Sequence, residues 1–440
     1  MKNVLSVKNA FLVVLVSVWF CSAANAKEVV SATPFVSKTK ELPFSVVAPN
    51  VGGFTEVGLK NIDHFFESEI SKKRLPGAVV GIVRNGKLVY LKAFGVADPE
   101  TSRPMQTDSI FALASMTKPM VAVGALSLTQ QGKLPLFSKV ADYYPAIGQM
   151  QVAVKKSDGS LTLEPPKKQM TIQDLMRHTS GLTYGGRADT GGSTLQYPAG
   201  KELPAMKGAS EFIQRISALS LVHQPGTVFE YSESFEMLGA VLEKVSGESL
   251  DNYLRRTIWK PIGMDDTGFH VPDMKKNRQV FPFKNNPLDG KPQKIETIEA
   301  DSTFECGGGC ALGTVPDFLR FAQMLINGGE FNGQRVLSPQ MVQWMTSNHL
   351  TRAIDNRVAN VEPHRDGYGF GLGVAVRLEP GLAAVPGNVG EFSWNGSYGT
   401  GFFVDPKEKL AVVFGTAAPG DLRKYYREQV QDLVYGALQR

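Results

Sequence analysis

Residues 77–95 read GAVVGIVRNGKLVYLKAFG, two runs rich in β-branched residues joined by Asn85-Gly86. That dipeptide accepts the left-handed backbone of a two-residue turn, so the segment is expected to form a β-hairpin. Just before it, residues 56–73 carry Val57, Ile62, Phe65, Phe66 and Ile70 at helical spacing, and Pro76-Gly77 stops the helix. The far end of the chain mirrors this arrangement. YGFGLGVAV, EFSWNGSYGTGFFVD and KLAVVFGTA read as three strands, Asp405-Pro406 opens a turn, and DLRKYYREQVQDLVYGALQR closes as a helix. The two ends are therefore expected to build one antiparallel sheet with helices packed on it.

The middle, roughly residues 105–350, differs in character. TIQDLMRH, ASEFIQRISALS, FEMLGAVLEKVSG and VPDFLRFAQMLINGG read as helices, separated by Gly- and Pro-rich loops at 183–208 and 282–303. The expected architecture is α/β. A sheet lobe (about 56–104 and 360–440) is interrupted by an inserted, mainly helical lobe (about 105–359), and no repeat period is visible. Residues 27–55, with Pro34, Pro43, Pro49 and Gly52-Gly53, read as an extended lead-in.

The first 26 residues have the form of a cleavable export signal. Lys2 and Lys8 precede the short apolar run AFLVVLVSVWF, and Ala24-Asn25-Ala26 is a small-x-small cleavage site. The run is too short to span a bilayer, and Phe20 stands before Cys21 where a lipoprotein site needs a small residue. The expected mature chain, Lys27–Arg440, is a soluble periplasmic or secreted protein with no membrane span. Loss of Lys2 and Lys8 lowers the formal charge from +5 to +3, an excess spread along the chain that gives no case for nucleic acid. The six histidines lack metal-site spacing, so neither a metal nor a cofactor is expected.

Ser-x-x-Lys occurs at Ser37…Lys40 and at Ser115…Lys118. The first lies in the lead-in, where no apolar periodicity fixes either side chain. The second opens SMTKPMVAVGALSLTQQGKL, whose apolar spacing runs to Leu128 before Gly132 stops it. Pro119 is tolerated in a first turn, which puts Ser115 at a helix N-terminus where backbone N–H groups favour developing negative charge. Residues three apart share a face, so the Lys118 amine can reach the serine hydroxyl and, once buried, serve as a base. On this segment alone, a Ser115 that merely caps the helix beside a solvated Lys118 fits equally well.

Two further elements narrow the choice. Tyr231 stands just before the helix of FEYSESFEMLGAVLEKVSG, and FSWNGSYGTGFFVD has a glycine at Gly396 that lets backbone approach a ligand closely. With Ser-x-x-Lys, these resemble the serine β-lactamase and penicillin-binding-protein superfamily. The closest likeness is to class C β-lactamases, D-alanyl-D-alanine carboxypeptidases and the family VIII carboxylesterases. The resemblance runs from about residue 57 to the end, and includes LMRHTSGLTYG (175–185), PGTVFEYS (225–232), KPIGMDDTGF (260–269) and GGGCALGTVPDFLRFAQMLINGG (307–329). It implies a β-lactamase-like fold, with Ser115 as the acylated nucleophile and Lys118 as its base partner. It also implies that Tyr231 relays a proton to the leaving group, and that the Ser397 N–H completes an oxyanion hole with that of Ser115.

The chain departs from the family pattern twice. Glu233 occupies the third position of the Tyr-x-Asn element, where an ionised carboxylate cannot donate to an amide carbonyl. Close to Lys118 it would also hold the lysine charged. Trp394-Asn395-Gly396 stands in place of Lys-Thr-Gly, removing the charge that would attract a substrate carboxylate and offering an apolar wall with one indole donor. Both departures favour a small-molecule ester as substrate, with Trp394, Asn395, Gly396, Glu233 and Tyr184 as candidate binding residues. Amide cleavage, as in a β-lactamase or D-alanyl-D-alanine carboxypeptidase, is the near rival. A catalytically weak relative that binds peptidoglycan or another ligand is the rival of another class.

Cys306 and Cys310, the two cysteines left after processing, flank three glycines in the family's glycine-rich stretch beside the cleft, and are expected to form a disulfide. His178 is expected to meet the C-terminal carbonyls of the short helix before it. The 183–208 loop reads either as a cleft wall or lid, or as an inert loop.

Overall fold

The computed structural model describes residues 43–187, 196–298 and 302–439. The expected leader, the Ser37…Lys40 pair, much of the lead-in and the centre of the 183–208 loop lie outside the described residues. The central sheet contains β1 (Ser45–Val46), β2 (Gly77–Arg84), β3 (Lys87–Asp98), β4 (Arg103–Pro104), β5 (Tyr368–Phe370), β6 (Ala375–Arg377), β7 (Phe392–Asn395), β8 (Gly401–Asp405) and β9 (Leu410–Thr416). Its order is β1-β3-β2-β9-β8-β7-β6-β5, with β4 paired to β3.

The hairpin turns at Asn85 (φ +53°) and Gly86 (φ +71°), the left-handed pair that matches strand twist. Strand β9 runs antiparallel beside β2, from Leu410 opposite Arg84 to Thr416 opposite Ala78, so the two ends of the chain meet at the sheet centre. The five principal helices are α1 (Glu56–Ser71), α2 (Thr117–Gln130), α3 (Ser234–Ser246), α4 (Val315–Ile326) and α5 (Leu422–Ala437). Strand β2 is apolar from Gly77 to Val83 because both its faces are covered. Ala78, Val80 and Ile82 share one cluster with Phe66 of α1 and Tyr426 and Val430 of α5, while Val79 and Val83 join Val315 and Leu319 of α4 in the other. Each Val, Ile, Leu or Phe among them contributes about 1.5–3 kcal/mol by leaving water. Gly81 permits the close approach of α4, since a Cβ there would lie 2.6 Å from Leu319 Cδ1.

Three features differ from the sequence reading. The sheet is mixed rather than antiparallel, because Ser45–Val46 pairs parallel with β3. The lead-in reaches that edge running in the direction of β3, then turns at residues 49–53, where the Phe54 N–H donates to Pro49 O (2.8 Å). Second, the three C-terminal strands are five: Gly373 (φ +86°) turns the chain between β5 and β6, and Gly399 (φ +101°) turns it between β7 and β8. Third, the middle contains strands. Phe111–Ala112 pairs with Leu312–Gly313, tying the segment that enters Ser115 to the one that leaves Cys310. Helix α2 is buried from Thr117 to Leu128, as an apolar helix must be. Among the described residues no helix is long and apolar enough to cross a membrane.

Candidate active site

Ser115 lies in a 3₁₀ turn, Ala114–Met116, that leads directly into α2. Its neighbours are anchored on several sides. Leu113 N–H donates to Ala311 O (2.9 Å), Thr400 Oγ1 donates to Leu113 O (3.0 Å), and Thr117 Oγ1 donates to Ala114 O (2.7 Å). Ala114 holds φ +46°, a left-handed conformation costly for a residue with a Cβ and sustained by these anchors. No side chain caps this turn or α2. The Ser115 hydroxyl instead engages Tyr231 and Lys118, so the capping alternative falls.

Tyr231 Oη donates to Ser115 Oγ at 2.6 Å, and Lys118 Nζ lies 3.3 Å from the same oxygen. Lys118 is fully buried, 3.2 Å from Tyr184 Oη and 2.7 Å from Gly308 O. Its Nζ also sits 4.6 Å from the Tyr231 ring centre. Tyr184 Oη donates to Glu236 Oε1 (2.9 Å), and Trp394 Nε1 donates weakly to Tyr231 Oη (3.4 Å). Each donor thus has one acceptor, from Trp394 through Tyr231 to Ser115. Lys118 Nζ donates to Gly308 O and Tyr184 Oη and lies within hydrogen-bond reach of Ser115 Oγ. Burial and the nearby carboxyl of Glu236 hold the Tyr184 phenol well above its ordinary range. Burial raises the Glu236 carboxyl, against the pull of Lys118.

Glu233 does not bear on Lys118 as the sequence suggested. It stands at the N-terminal end of α3, fully buried, and among the described residues neither of its carboxyl oxygens has a hydrogen-bond partner. Burial, with Glu236 nearby, raises it well above the usual carboxylate range and favours the neutral acid. The carboxyl coupled to the lysine is Glu236, through Tyr184. His178 is also placed differently. Its backbone takes φ +56°, which turns the ring away from the helix carbonyls and under Tyr231 (ring centres 4.7 Å apart). Nδ1 lies 3.3 Å from both the N–H and the Oγ of Ser232, and burial holds the imidazole neutral.

The Trp394-Asn395-Gly396 box closes the site from behind. Trp394 is only 2% exposed, its indole N–H is spent on Tyr231, and the Arg365 guanidinium lies 4.5 Å over its ring. It is a support for Tyr231 rather than an open wall for substrate, because β7 ends beneath the tyrosine. Asn395, with its amide oriented to satisfy both neighbours, donates to Trp394 O and accepts from Arg365 Nη2, each at 3.0 Å. Gly396 packs against the nucleophile's turn, where a Cβ would lie 2.3 Å from Leu113 O. Ser397 follows it, exposed, in the turn between β7 and β8. Cys306 and Cys310 form a disulfide with a Cα–Cα separation of 5.2 Å. The described part of the 183–208 loop contributes Tyr184 and Arg187, whose guanidinium lies 5.4 Å from the Tyr231 ring centre. Sequence reasoning missed Glu236, Gly308 and Arg365. Glu236 was readable only as the inward face of α3, one turn on from Glu233, and the other two left no local signal.

The Beta-lactamase family model matches residues 61–434, and the chain belongs to that family. It is 32% identical over 346 residues to Protein Rv1367c of Mycobacterium tuberculosis, covering 77% of this chain and 85% of that protein. It is 29% identical over 379 residues to Esterase EstB of Burkholderia gladioli, covering 81% and 89%. The solved structure of EstCE1, described as a hydrolase with promiscuous acyltransferase activity, matches with a TM-score of 0.69 at 27% identity, covering 86% of this chain and 98% of that one. The chain is a serine hydrolase of the β-lactamase superfamily.

Proposed function

On the premise of that family, we propose that the protein is an exported carboxylesterase that forms an acyl-enzyme on Ser115 and acts on small or short-chain esters. One observation carries the reading: Tyr231 Oη at 2.6 Å and Lys118 Nζ at 3.3 Å converge on the Ser115 hydroxyl. The Ser115 proton passes to the Lys118 amine as Oγ attacks the ester carbonyl. The N–H groups of Ser115 and Ser397 hold the oxyanion. Tyr231 gives its proton to the departing alkoxide, and the Lys118 ammonium, 4.6 Å from its ring centre, stabilises the tyrosinate. In deacylation the tyrosinate takes a proton from the attacking water, and Lys118 returns its own to Ser115 Oγ.

The preference for esters is supported by Trp394, which stands where the family has a cation, and by the relatives named as esterases or hydrolases. An alkoxide also departs more readily than an amide nitrogen anion. Export is supported by the leader's charge and apolar pattern and by an oxidised cysteine pair.

The test is a panel of p-nitrophenyl esters beside nitrocefin, with a fluorophosphonate probe. Short-chain esters should turn over, and nitrocefin should open slowly or not at all. Ser115→Ala should lose both labelling and turnover at unchanged melting temperature. A wild-type preference for nitrocefin would overturn the ester reading, full activity in Ser115→Ala the mechanism, and an unlabelled wild-type Ser115 would favour a binding protein.

A further inference from the structure

Cys306 and Cys310 close a ring that contains only Gly307, Gly308 and Gly309. The carbonyl of the middle glycine is the nearest of the three groups around the Lys118 amine, at 2.7 Å against 3.2 Å for Tyr184 Oη and 3.3 Å for Ser115 Oγ. We propose that the Cys306–Cys310 disulfide is a positioning element of the reaction, holding the Gly308 carbonyl against Lys118 so that the amine's lone pair faces Ser115. The inference rests on the acyl-enzyme reading above.

The glycines leave the ring little stiffness of its own. Three in succession make the most mobile backbone a chain can have, yet two of them leave room for no other residue. A Cβ on Gly307 would lie 2.6 Å from Phe235 O, and one on Gly308 would fall 2.0 Å from Glu236 Oε1. The turn must pass this close to α3 to reach the lysine, so side chains cannot stiffen it. Local hydrogen bonds do part of the work: the N–H groups of Gly309 and Cys310 both donate to Cys306 O at 3.1 Å. The disulfide does the rest, closing the ring at both ends.

The chemistry depends on that stiffness. To act as the base of the reaction proposed above, Lys118 must offer a lone pair beside two N–H bonds, and a carbonyl oxygen can only accept. Gly308 O therefore fixes one N–H, and Tyr184, whose own proton goes to Glu236, takes the other. The lone pair is left for the Ser115 proton. If the carbonyl withdraws, the amine can rotate an N–H toward Ser115 Oγ, and it then no longer accepts from it. Lys118 is fully buried, so this loss falls on the chemical step and not on substrate binding.

The experiment compares kcat and KM for p-nitrophenyl butyrate in wild type, in the Cys306→Ala/Cys310→Ala double variant, and in wild type reduced until mass spectrometry shows two thiols. Misplacement by about 1 Å costs on the order of 100-fold in rate. The double variant and the reduced enzyme should therefore lose about 10- to 100-fold in kcat with KM within about twofold, and reoxidation should restore the reduced sample. Gly309→Ala is the control: a Cβ there meets nothing closer than 4.0 Å, so kcat should stay at the wild-type value. If the double variant does not fold, the reduced wild type decides. Unchanged kcat after complete reduction overturns the proposal, and so does a joint change in kcat and KM with loss of a cooperative melt. Ser115→Ala in the same assay separates the two levels: if it is dead while reduction has no effect, only the disulfide proposal fails, and if it is active, the acyl-enzyme reading fails with it.

Discussion

Removing one oxygen, in Tyr231→Phe, isolates the proton relay from the packing around it. The ring keeps its neighbours: His178 at 4.7 Å and Trp394 at 5.3 Å between ring centres, and Lys118 Nζ at 4.6 Å. What disappears is the 2.6 Å bond to Ser115 Oγ and the acceptor for Trp394 Nε1–H. The second loss leaves a buried donor unpaired, but that bond is long at 3.4 Å, so the cost should sit at the low end, about 1 kcal/mol. The first removes a general acid, worth roughly 10²–10⁴ in rate, or about 2.7–5.5 kcal/mol of barrier. A p-nitrophenolate leaves without a proton, whereas an ethoxide needs one. The assay is therefore kcat/KM for ethyl butyrate and p-nitrophenyl butyrate, with denaturant unfolding alongside. Ethyl butyrate should lose about 10²–10⁴, p-nitrophenyl butyrate at least tenfold less, and unfolding should show only the small loss. Equal losses on both esters would place Tyr231 in serine activation rather than leaving-group protonation, and full activity on ethyl butyrate would refute any role for its hydroxyl.

Two other substitutions test the buried carboxyls. Glu233→Gln replaces a buried acid, neither of whose oxygens has a hydrogen-bond partner among the described residues, by a neutral group of the same shape. Stability should hold or rise, and kcat/KM for p-nitrophenyl butyrate should stay within about threefold, or roughly 0.7 kcal/mol; a loss beyond 100-fold would return Glu233 to the chemistry. Glu391, which accepts from Tyr368 (2.8 Å) and Gln431 (2.9 Å), is pushed up to about 7 from 4.5, chiefly by burial. The folded state then keeps a proton that the unfolded chain releases, so this group costs stability as pH rises from about 4.5 to about 7. Melting temperatures from pH 4.5 to 7 should fall less steeply in Glu391→Gln than in wild type, and parallel curves would show that Glu391 does not titrate in that window.

The hairpin at Asn85-Gly86, the continuous apolar run from Gly77 to Val83 and the amphipathic closing helix were legible because each follows from local rules of turn geometry, burial and periodicity. Ser115, Lys118 and Tyr231 were legible too, since their spacing and order along the chain express one helix turn and a family resemblance. The sequence did not reveal what those side chains would touch. Lys118 meets Gly308, 190 residues away, and Trp394 is backed by Arg365, which stands on a different segment. Such pairings depend on tertiary contacts between distant segments, such as the pairing of Phe111–Ala112 with Leu312–Gly313, and no local pattern encodes them. The same holds for Glu233: as a letter it is a carboxylate beside a catalytic motif, but only burial without partners makes it a neutral acid. Residue type and spacing determined which groups could do the chemistry. Tertiary packing decided their protonation and their partners, because both depend on dielectric and distance, which the order of residues does not specify.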